Sequence, residues 1–465
     1  MSPTRTLVAS LLLLLANDLL AAEYRSGAEQ QTRLSLTVYN AGRALVREQR
    51  NLDLPPGSTR VALMDVPQKI LPQTLAIDGL SVREQNYDFD LLSPQTLLQK
   101  HVGRSVRIAR RSLDSGETLE WKKARILAVN GGVILRMEDG SIETLDADSR
   151  YRIVYDEVPD NLRERPTLTL KLEQPAEGRK AVRLSYLTTG LGWSSDYVLE
   201  LARDGRQASL VNWITIDNRS GIAFDKAEIQ LLAGDLNLVN RPSPRRAEKV
   251  MMAMADSAEP ARESIGGFHL YSLPWKTDLK QNQKKQLKLF GRQQIPVQRL
   301  LRDRAWLGGY SSRPGKTKPE LLLRFANREP ALGLPLPAGV VRVYGQDSKG
   351  NAQFLGEDRI GHTAVNDELE LRLGKSFDVT VERRITDHRQ ISKKQYRITR
   401  EIVINNGSDN AQQLKLTDIL PSRDWSLLSS TEQWLKRSPE EIGFDLTLAP
   451  KTRKRIEYRM EIRQP

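Results

Sequence analysis

Cysteine is absent from the 465-residue chain, and histidine is scarce. Without cysteine the protein cannot form a disulfide, carry a lipid on an N-terminal cysteine or hold zinc with thiolates. The four histidines (His101, His269, His362 and His388) lie far apart in sequence, and none has a partner at metal-ligand spacing. We therefore expect no structural metal and a fold stabilised by core burial alone.

Long hydrophobic runs are also lacking, apart from one near the start. Residues 7–16 are almost entirely apolar, and about ten residues is roughly half the length that a helix needs to cross a bilayer core. Arg5 precedes this run and Ala21-Ala22 ends it, an arrangement typical of a cleavable secretory signal. We predict a signal peptide over residues 1–22, cleavage after Ala22, and export from the cytoplasm. A retained membrane anchor is the alternative, and no later stretch is long enough for a transmembrane helix.

Sequence motifs for catalysis and cofactor binding are lacking as well. No Gly-x-Ser-x-Gly elbow surrounds Ser194-Ser195, and residues 190–193 (Gly-Leu-Gly-Trp) are too few for a dinucleotide-binding loop. Acidic pairs such as Asp156-Glu157 do not indicate a general acid and a general base that face each other. We expect no cofactor and favour a protein that is not an enzyme. The alternative is a hydrolase of envelope glycan or peptide.

Short runs of alternating or β-branched residues, separated by turn dipeptides, recur from Thr32 to the C-terminus. This pattern predicts an all-β, multi-domain protein with very little helix. Residues 44–54 read as a strand that Pro55-Pro56-Gly57 ends, and a new strand follows over residues 59–64. One short helix is predicted where Ser93 is a good N-cap, Pro94 suits the first helical position and Gly103 can end the helix.

Strand spacing and composition divide the chain beyond the signal peptide into five regions. They are an N-terminal β module (23–95), a small SH3-like or Sm-like β-barrel (96–158), the first part of a β-sandwich region (167–240), a basic and partly mobile connecting segment (241–318), and a C-terminal immunoglobulin-like β-sandwich (319–465).

Two stretches of the sandwich regions echo each other. Residues 214–220 and 402–408 each place a strand before an Asn-containing turn, and each is followed by a returning strand that ends in an acidic residue. Internal duplication is one explanation of the echo. Chance is the other, since alternation alone produces such similarity.

The chain is basic, with 71 Lys and Arg against 58 Asp and Glu and a formal net charge of +13. Residues 241–318 hold 17 of the basic residues and only six acidic ones. Positive charge favours anionic partners such as phosphorylated lipid head groups or acidic polysaccharide, and export argues against nucleic acid. We predict polyanion binding by six residues in this segment: Lys276, Lys280, Lys284, Lys285, Lys288 and Arg292. The alternative is that these lysines only keep strand edges from pairing.

Two other kinds of ligand are open from the sequence. Met251, Met252 and Met254 offer thioethers to Cu(I), although a flexible apolar loop explains them without a metal. Exposed aromatic residues would suit a carbohydrate-binding module, and the candidates are Trp275, Trp306 and Trp425.

Several motifs together resemble one family. They are residues 37–40 (Thr-Val-Tyr-Asn), residues 84–94 (Glu-Gln-Asn-Tyr-Asp-Phe-Asp-Leu-Leu-Ser-Pro), residues 184–187 (Leu-Ser-Tyr-Leu) with residues 192–197 (Gly-Trp-Ser-Ser-Asp-Tyr), residues 232–237 (Leu-Ala-Gly-Asp-Leu-Asn) and residues 334–339 (Leu-Pro-Leu-Pro-Ala-Gly). In this order they resemble the bacterial exported mucoidy-inhibitor-A-like proteins, whose conserved region is a domain of unknown function. The resemblance runs through most of the chain beyond residue 22.

The resemblance implies a secreted or periplasmic, mostly β protein and carries over no catalytic residue. Some relatives have a long coiled-coil insertion near the front of the domain, and this sequence has the small-barrel segment instead. The family name points to a link with exopolysaccharide control. We therefore expect an exported cell-envelope protein that acts as a structural or interaction module, binding an envelope protein or an anionic envelope polymer.

Overall fold

The computed structural model describes residues 23–111, 118–145, 151–159, 162–234, 262–265, 267–307 and 315–463. The predicted cleavage site at Ala22 and the three methionines considered for Cu(I) lie outside these residues. Strand accounts for 68% of the structure and helix for 3%, so the prediction of an all-β, multi-domain protein is confirmed. No helix in the described ranges has the length and apolar character needed to span a membrane.

The strands of the first half of the chain are β1 (Tyr24–Ser26), β2 (Gln31–Tyr39), β3 (Arg43–Met64), β4 (Ala76–Asp78), β5 (Val82–Asp88), β6 (Ser105–Arg111), β7 (Thr118–Val129), β8 (Val133–Met137), β9 (Ile142–Leu145), β10 (Tyr151–Val154), β11 (Thr167–Thr189), β12 (Leu191–Leu201), β13 (Gln207–Asn218) and β14 (Phe224–Ala233). Those of the second half are β15 (Arg262–Ile265), β16 (Phe268–Ser272), β17 (Thr277–Leu279), β18 (Gln283–Pro296), β19 (Gln298–Trp306), β20 (Gly315–Thr317), β21 (Glu320–Ala326), β22 (Gly339–Gln346), β23 (Ala352–Ile360), β24 (Glu368–Lys375), β25 (Val379–Ser392), β26 (Gln395–Asn406), β27 (Gln412–Ile419), β28 (Asp424–Ser430), β29 (Leu435–Ser438), β30 (Glu441–Leu448) and β31 (Thr452–Arg463).

In the part of the chain that the structure describes, the helical content consists of α1 (Pro94–Lys100) and two single 3₁₀ turns, Ala28–Gln30 and Pro72–Thr74. The predicted helix is confirmed, because the Ser93 side chain accepts a hydrogen bond from the Thr96 backbone N–H at 3.1 Å. This bond satisfies one of the N–H groups that have no partner within the helix.

The chain divides into two compact units. The first unit is the described part of Met1–Gly192, Asp217–Leu231 and Ser272–Gln283, and the second is the described part of Trp193–Ile216, Leu232–Tyr271 and Lys284–Pro465.

The main sheet of the first unit has the strand order β14-β2-β3-β11-β4, and β1, β5 and β17 pair with β3, β11 and β14 respectively. Its centre is the long antiparallel pair β3–β11, which runs from Arg43 opposite Thr189 to Met64 opposite Thr167. Side chains alternate between the two faces of such a strand. On β3, Val46 and Leu52 are buried on the inner face, whereas Arg47 points to the outer face. The outer face of this sheet is therefore available to polar side chains.

The expectation that Pro55-Pro56-Gly57 ends a strand is wrong, since β3 is continuous from Arg43 to Met64. The register between β3 and β11 shifts between Lys171 and Gly178, opposite this stretch. Proline has no backbone N–H to donate, and no inter-strand hydrogen bond is required where the ladder is interrupted. The chain therefore passes through the prolines at a bulge and continues in the same sheet.

The described residues between 105 and 154 of the first unit form a separate five-stranded sheet with the order β10-β6-β7-β8-β9. This sheet occupies the segment for which the sequence predicts a small β-barrel. Val106, Ile108, Ile126 and Leu135 lie in its own hydrophobic core, and Leu98 of α1 packs against them.

The described residues of the second unit form three sheets, with two hydrophobic cores between them. The sheets have the orders β18-β13-β12-β22-β23, β24-β21-β19-β27-β30-β29 and β20-β25-β26-β31-β28. One core joins the first two sheets through residues such as Leu199 and Leu323. The other joins the last two through residues such as Phe444 and Ile402. The middle sheet therefore contributes to both cores.

The two echoing stretches of the sequence form the same turn. In the first unit, Asn218 Oδ1 accepts hydrogen bonds from the Ser220 N–H at 3.1 Å and the Ser220 hydroxyl at 2.8 Å. In the second unit, Asn406 Oδ1 accepts the same pair from Ser408, at 3.1 and 2.7 Å. Both asparagines are buried and donate through Nδ2 to backbone carbonyls of neighbouring segments. The two stretches thus share their spacing because in each one the asparagine and the serine form the hydrogen bonds that a buried turn requires.

Candidate ligand-binding clefts

The six basic residues predicted to bind a polyanion are divided between the units and have different surroundings. Lys276 and Lys280 belong to the first unit, and the other four lie on β18 of the second unit. Lys276 Nζ lies 3.4 Å from Glu228, and Arg292 lies 2.9 Å from Glu200. Both are therefore already engaged with carboxylates of the fold.

The β18 lysines point in two directions, as the alternation of a strand requires. Lys284 and Lys288 are exposed on one face, whereas Lys285 lies on the other face and is half-buried. The Lys288 Nζ lies 5.5 Å from the centre of the Trp213 ring, a cation–π contact. The structure therefore places Lys284 and Lys288 on one face of β18 but does not bring the whole predicted set together.

The three tryptophans considered for carbohydrate binding lie on different elements. Trp275 belongs to the first unit and is 48% exposed, and Trp306 ends β19 of the second unit at 58% exposed. Trp425, on β28, is half-buried, and its Nε1 donates to the Pro439 carbonyl at 2.8 Å. Its ring is covered by the Lys436 Nζ, 5.0 Å from the centroid. Trp425 thus packs with its own neighbours.

The histidines serve the fold at three positions. His101 is buried and donates from Nδ1 to the Leu97 carbonyl at 2.7 Å. His362 Nδ1 accepts from the Ala338 N–H at 3.2 Å, and the His388 ring stacks on Tyr396. Across the described ranges no three His, Asp or Glu side chains are arranged to hold a metal ion.

A cleft of about 810 Å³ lies on the outer face of the first unit's main sheet, and we call it the Arg47 cleft. Its floor includes side chains at the outward positions of β2, β3 and β11. Neutral hydrogen-bonding groups make up much of the lining: Ser35, Gln49, Ser185, Gln230 and Ser272. Such a surface suits a ligand with many hydroxyl groups.

Three arginines line the Arg47 cleft, and two of them have carboxylate partners. Arg33 Nη2 lies 2.9 Å from Glu228 Oε2, and Arg183 Nε donates to Asp78 Oδ2 at 2.9 Å. Hydrogen bonding from Arg33 lowers the pKa of Glu228, and hydrogen bonding from Arg183 lowers the pKa of Asp78. Both carboxyl groups are therefore ionised at neutral pH and neutralised by their partners.

Arg47 is the third arginine and stands apart. Its Nη1 donates to the Thr37 hydroxyl at 3.3 Å. Among the side chains that the structure describes, no carboxylate lies within ion-pair distance of its guanidinium. Thr37 Oγ1 in turn donates to Gln230 Oε1 at 3.3 Å, which holds this corner of the cleft in place. Arg47 thus presents an exposed positive charge whose fork geometry matches a carboxylate.

Behind the cleft lies a buried ion pair on the inner face of β3. The side chains of Glu48 and Arg50 are 2% and 1% exposed, and Arg50 Nη2 lies 3.2 Å from Glu48 Oε2. Gln31 Nε2 donates to the same oxygen, and the Tyr186 hydroxyl donates to Glu48 Oε1 at 3.4 Å. Burial is the main cause that raises the pKa of Tyr186, with the Glu48 charge adding to it. The tyrosine therefore stays protonated as a donor.

A second cleft of about 400 Å³, the Lys226 cleft, lies in the same unit where β2 and β14 begin. Its lining includes Gln31, Thr32, Lys226 and Lys276, and it shares Arg33 and Glu48 with the Arg47 cleft. The Lys226 backbone has φ of 49°, and its N–H donates to Asp278 Oδ1 at 2.7 Å. This bond holds the lysine at the cleft in an uncommon left-handed conformation.

Sequence reasoning missed the residues of the Arg47 cleft. The three arginines of the cleft occupy outward positions of strands whose side chains alternate between buried and exposed. A solvated arginine is ordinary at such a position. They are Arg33, Arg47 and Arg183. They converge only because β3 pairs with β2 on one side and with β11 on the other. The single signal in the sequence was the spacing of arginines at such outward positions, which does not show that the strands are neighbours.

A scan of the chain against models of known protein families matched none of them, and a search of curated proteins found no match.

Proposed function

We propose that the protein is an exported interaction module of the bacterial cell envelope that binds an acidic glycan in the Arg47 cleft. The observation that carries this proposal is Arg47 itself, an exposed guanidinium with no carboxylate partner among the described residues, in a cleft lined by serine and glutamine side chains. The arginine would pair with a carboxylate of the glycan, and the neutral groups would bond its hydroxyls.

The leader-like residues 1–22 and the resemblance to mucoidy-inhibitor-A-like proteins support an envelope location for this activity. We propose that the chain belongs to that family and that the paired sheets of its second unit are of the immunoglobulin-like sandwich class. A glycan ligand also agrees with the positive net charge of the chain, which favours anionic envelope polymers.

The alternative of a glycan hydrolase is less well supported by the same cleft. Glycoside hydrolysis needs a carboxyl group that is protonated at working pH so that it can donate to the leaving group. Asp78 and Glu228 have the opposite property, since their arginine partners lower the pKa of both. Neither of these two carboxyl groups is therefore suited to donate the proton, which favours binding over acid catalysis.

The test uses the protein without residues 1–22 and immobilised polygalacturonate, with an uncharged dextran as the reference. We expect retention on the polyuronate alone, elution by modest salt, and an affinity about tenfold lower for Arg47→Gln, as expected for loss of one charge-assisted hydrogen-bonded pair. Arg179→Gln is the matched control, because Arg179 is exposed on β11 outside the cleft lining. Equal losses for the two variants, or equal retention on dextran, would overturn the proposal.

A further inference from the structure

The Arg47 cleft and the Lys226 cleft follow one another along the same strand. On β2, Gln31 and Thr32 line the Lys226 cleft, Ser35 lines the Arg47 cleft, and Arg33 lines both. At about 3.3 Å per residue, the run from Gln31 to Ser35 is about 13 Å long. The two clefts are thus neighbours within one unit, joined at Arg33.

An exposed ion-pair cluster lies at the junction. Glu228 lines the Arg47 cleft, and its two oxygens lie 2.9 Å from Arg33 Nη2 and 3.4 Å from Lys276 Nζ. The three side chains are 68%, 34% and 57% exposed in the order Arg33, Glu228 and Lys276. Ion pairs at such exposure are weak, so a carboxylate of a ligand can replace Glu228 as the partner of Arg33.

Each cleft also offers a positive charge of its own. In the Arg47 cleft this is Arg47, and in the Lys226 cleft it is Lys226, which has no carboxylate within ion-pair distance among the residues the structure describes. The acidic residues of the Lys226 cleft are Glu48, Asp65 and Asp225. Glu48 pairs with Arg50 at 3.2 Å and Asp65 with Arg165 at 3.1 Å, and Asp225 lies beside the lysine in the chain. Positive charges thus occur in both clefts and at their junction.

We propose that the two clefts are consecutive subsites of one groove, which takes an extended segment of acidic glycan with one carboxylate at Arg47 and another at Lys226. This inference rests on the proposed function, because it assumes that the Arg47 cleft binds such a glycan. Linked subsites make binding depend on ligand length, since a second contact made by an already bound chain costs little additional entropy.

The length of the ligand tests the second subsite separately from the first. Affinities of short and long oligogalacturonates are measured by calorimetry for the wild type, Lys226→Gln and Lys180→Gln. We expect affinity to rise with length in the wild type and in Lys180→Gln, a control that is exposed on β11 outside both linings. Lys226→Gln should bind short oligomers like the wild type and long ones about fivefold more weakly. Equal behaviour of the two lysine variants, or no dependence on length in the wild type, would overturn the second subsite.

Glu228→Gln gives a result in the opposite direction. Once Glu228 has lost its charge, no carboxylate of the protein competes for Arg33 and Lys276 at the junction. Long oligogalacturonates should therefore bind about threefold more tightly and with a steeper dependence on salt. A variant that binds them as the wild type does, or more weakly, contradicts the role of the junction. If polygalacturonate is not bound by any form of the protein, the proposed function itself has failed. If it is bound but the length and Lys226 effects are missing, only the two-subsite inference has failed.

Discussion

The buried arginine–carboxylate cluster of the first unit differs from that of the second in what it connects. In the first unit, Glu48 and Arg50 are two positions apart on β3 and share its inner face. Arg50 Nη1 donates to the backbone carbonyls of Ser26 at 3.0 Å and Met64 at 2.8 Å. This cluster ties β3 to β1 and to its own C-terminal end, all within one sheet.

In the second unit the cluster spans two sheets. Asp418 on β27 accepts from the Arg383 Nε at 2.9 Å and from the Tyr458 hydroxyl at 2.6 Å, and the Arg400 Nε lies 3.0 Å away. Arg383 also pairs with Asp303 on β19. The arginines and the tyrosine belong to one sheet and the two aspartates to the facing sheet.

The difference shows two uses of buried charge. Arg50 has backbone carbonyls as additional partners, so losing Glu48 leaves it partly satisfied. The guanidinium groups of Arg383 and Arg400 depend on carboxylates from the opposite sheet, and a buried charge that loses its partner is costly. The two clusters should therefore differ in how strongly the unit around them depends on a single carboxylate.

The largest effect is expected from Asp418→Asn. This change leaves Arg400 buried without a carboxylate and should lower the free energy of unfolding of the second unit by about 3–5 kcal/mol. Urea denaturation gives the size of the loss, and hydrogen exchange of β26 and β31 locates it in the second unit. Glu440→Gln, in an exposed pair with Arg423, is the control and should leave both readouts unchanged. A loss no larger than that of the control would contradict the role of the cluster.

A smaller effect is expected from Glu48→Gln. The amide can still accept from Tyr186, and Arg50 retains the Ser26 and Met64 carbonyls. The free energy of unfolding of the first unit should fall by about 2 kcal/mol, the range for a lost hydrogen bond between charged groups. Hydrogen exchange of β3 and β11 is the measurement. A loss as large as that of Asp418→Asn would remove the contrast between the two clusters.

The smallest effect concerns Glu401, a buried carboxylate whose partners Arg384 and Arg455 are exposed. Hydrogen bonding from Arg384 is the largest cause that lowers the pKa of Glu401, and Arg455 adds to it. Because the pKa of Glu401 in the folded state lies below its ordinary value, the ionised carboxylate stabilises the fold fully when the pH is above the ordinary pKa. This stabilisation is lost as the pH falls through the folded-state pKa. Measured against pH, the free energy of unfolding of the wild type should therefore exceed that of Glu401→Gln at neutral pH and approach it at low pH. A constant difference at every pH would be inconsistent with this.

The sequence was sufficient for the fold class and for one local element. Alternating apolar residues predict the strands because every second side chain must be buried. Ser93 and Pro94 predict α1 because a helix start needs an acceptor and tolerates a missing N–H. The course of the chain through Pro55 and Pro56 was not predictable, since it depends on a shift of register against β11, a strand more than a hundred residues later.

The residues of the candidate site could not be predicted from the sequence, for a related reason. Local charge density pointed to the lysines of residues 276–288, but density in sequence does not determine which face of a strand a side chain occupies. Lys284 and Lys285 are adjacent in the chain and lie on opposite faces of β18. Arg47 and Arg183 are far apart in the chain and line one cleft, because β3 and β11 pair over their whole length.

The position of β19 in the middle sheet of the second unit has a consequence for biosynthesis. β19 pairs with β21, which follows it closely in the chain, and in parallel with β27, where Leu301 lies opposite Leu414. A chain that emerges N-terminus first, from a ribosome or through a membrane pore, therefore offers β19 and β21 well before β27. During that interval one edge of β19 carries unpaired backbone groups, which invite pairing with another chain. The hazard of aggregation is thus concentrated before release of the last strands, and the second unit can complete its fold only afterwards.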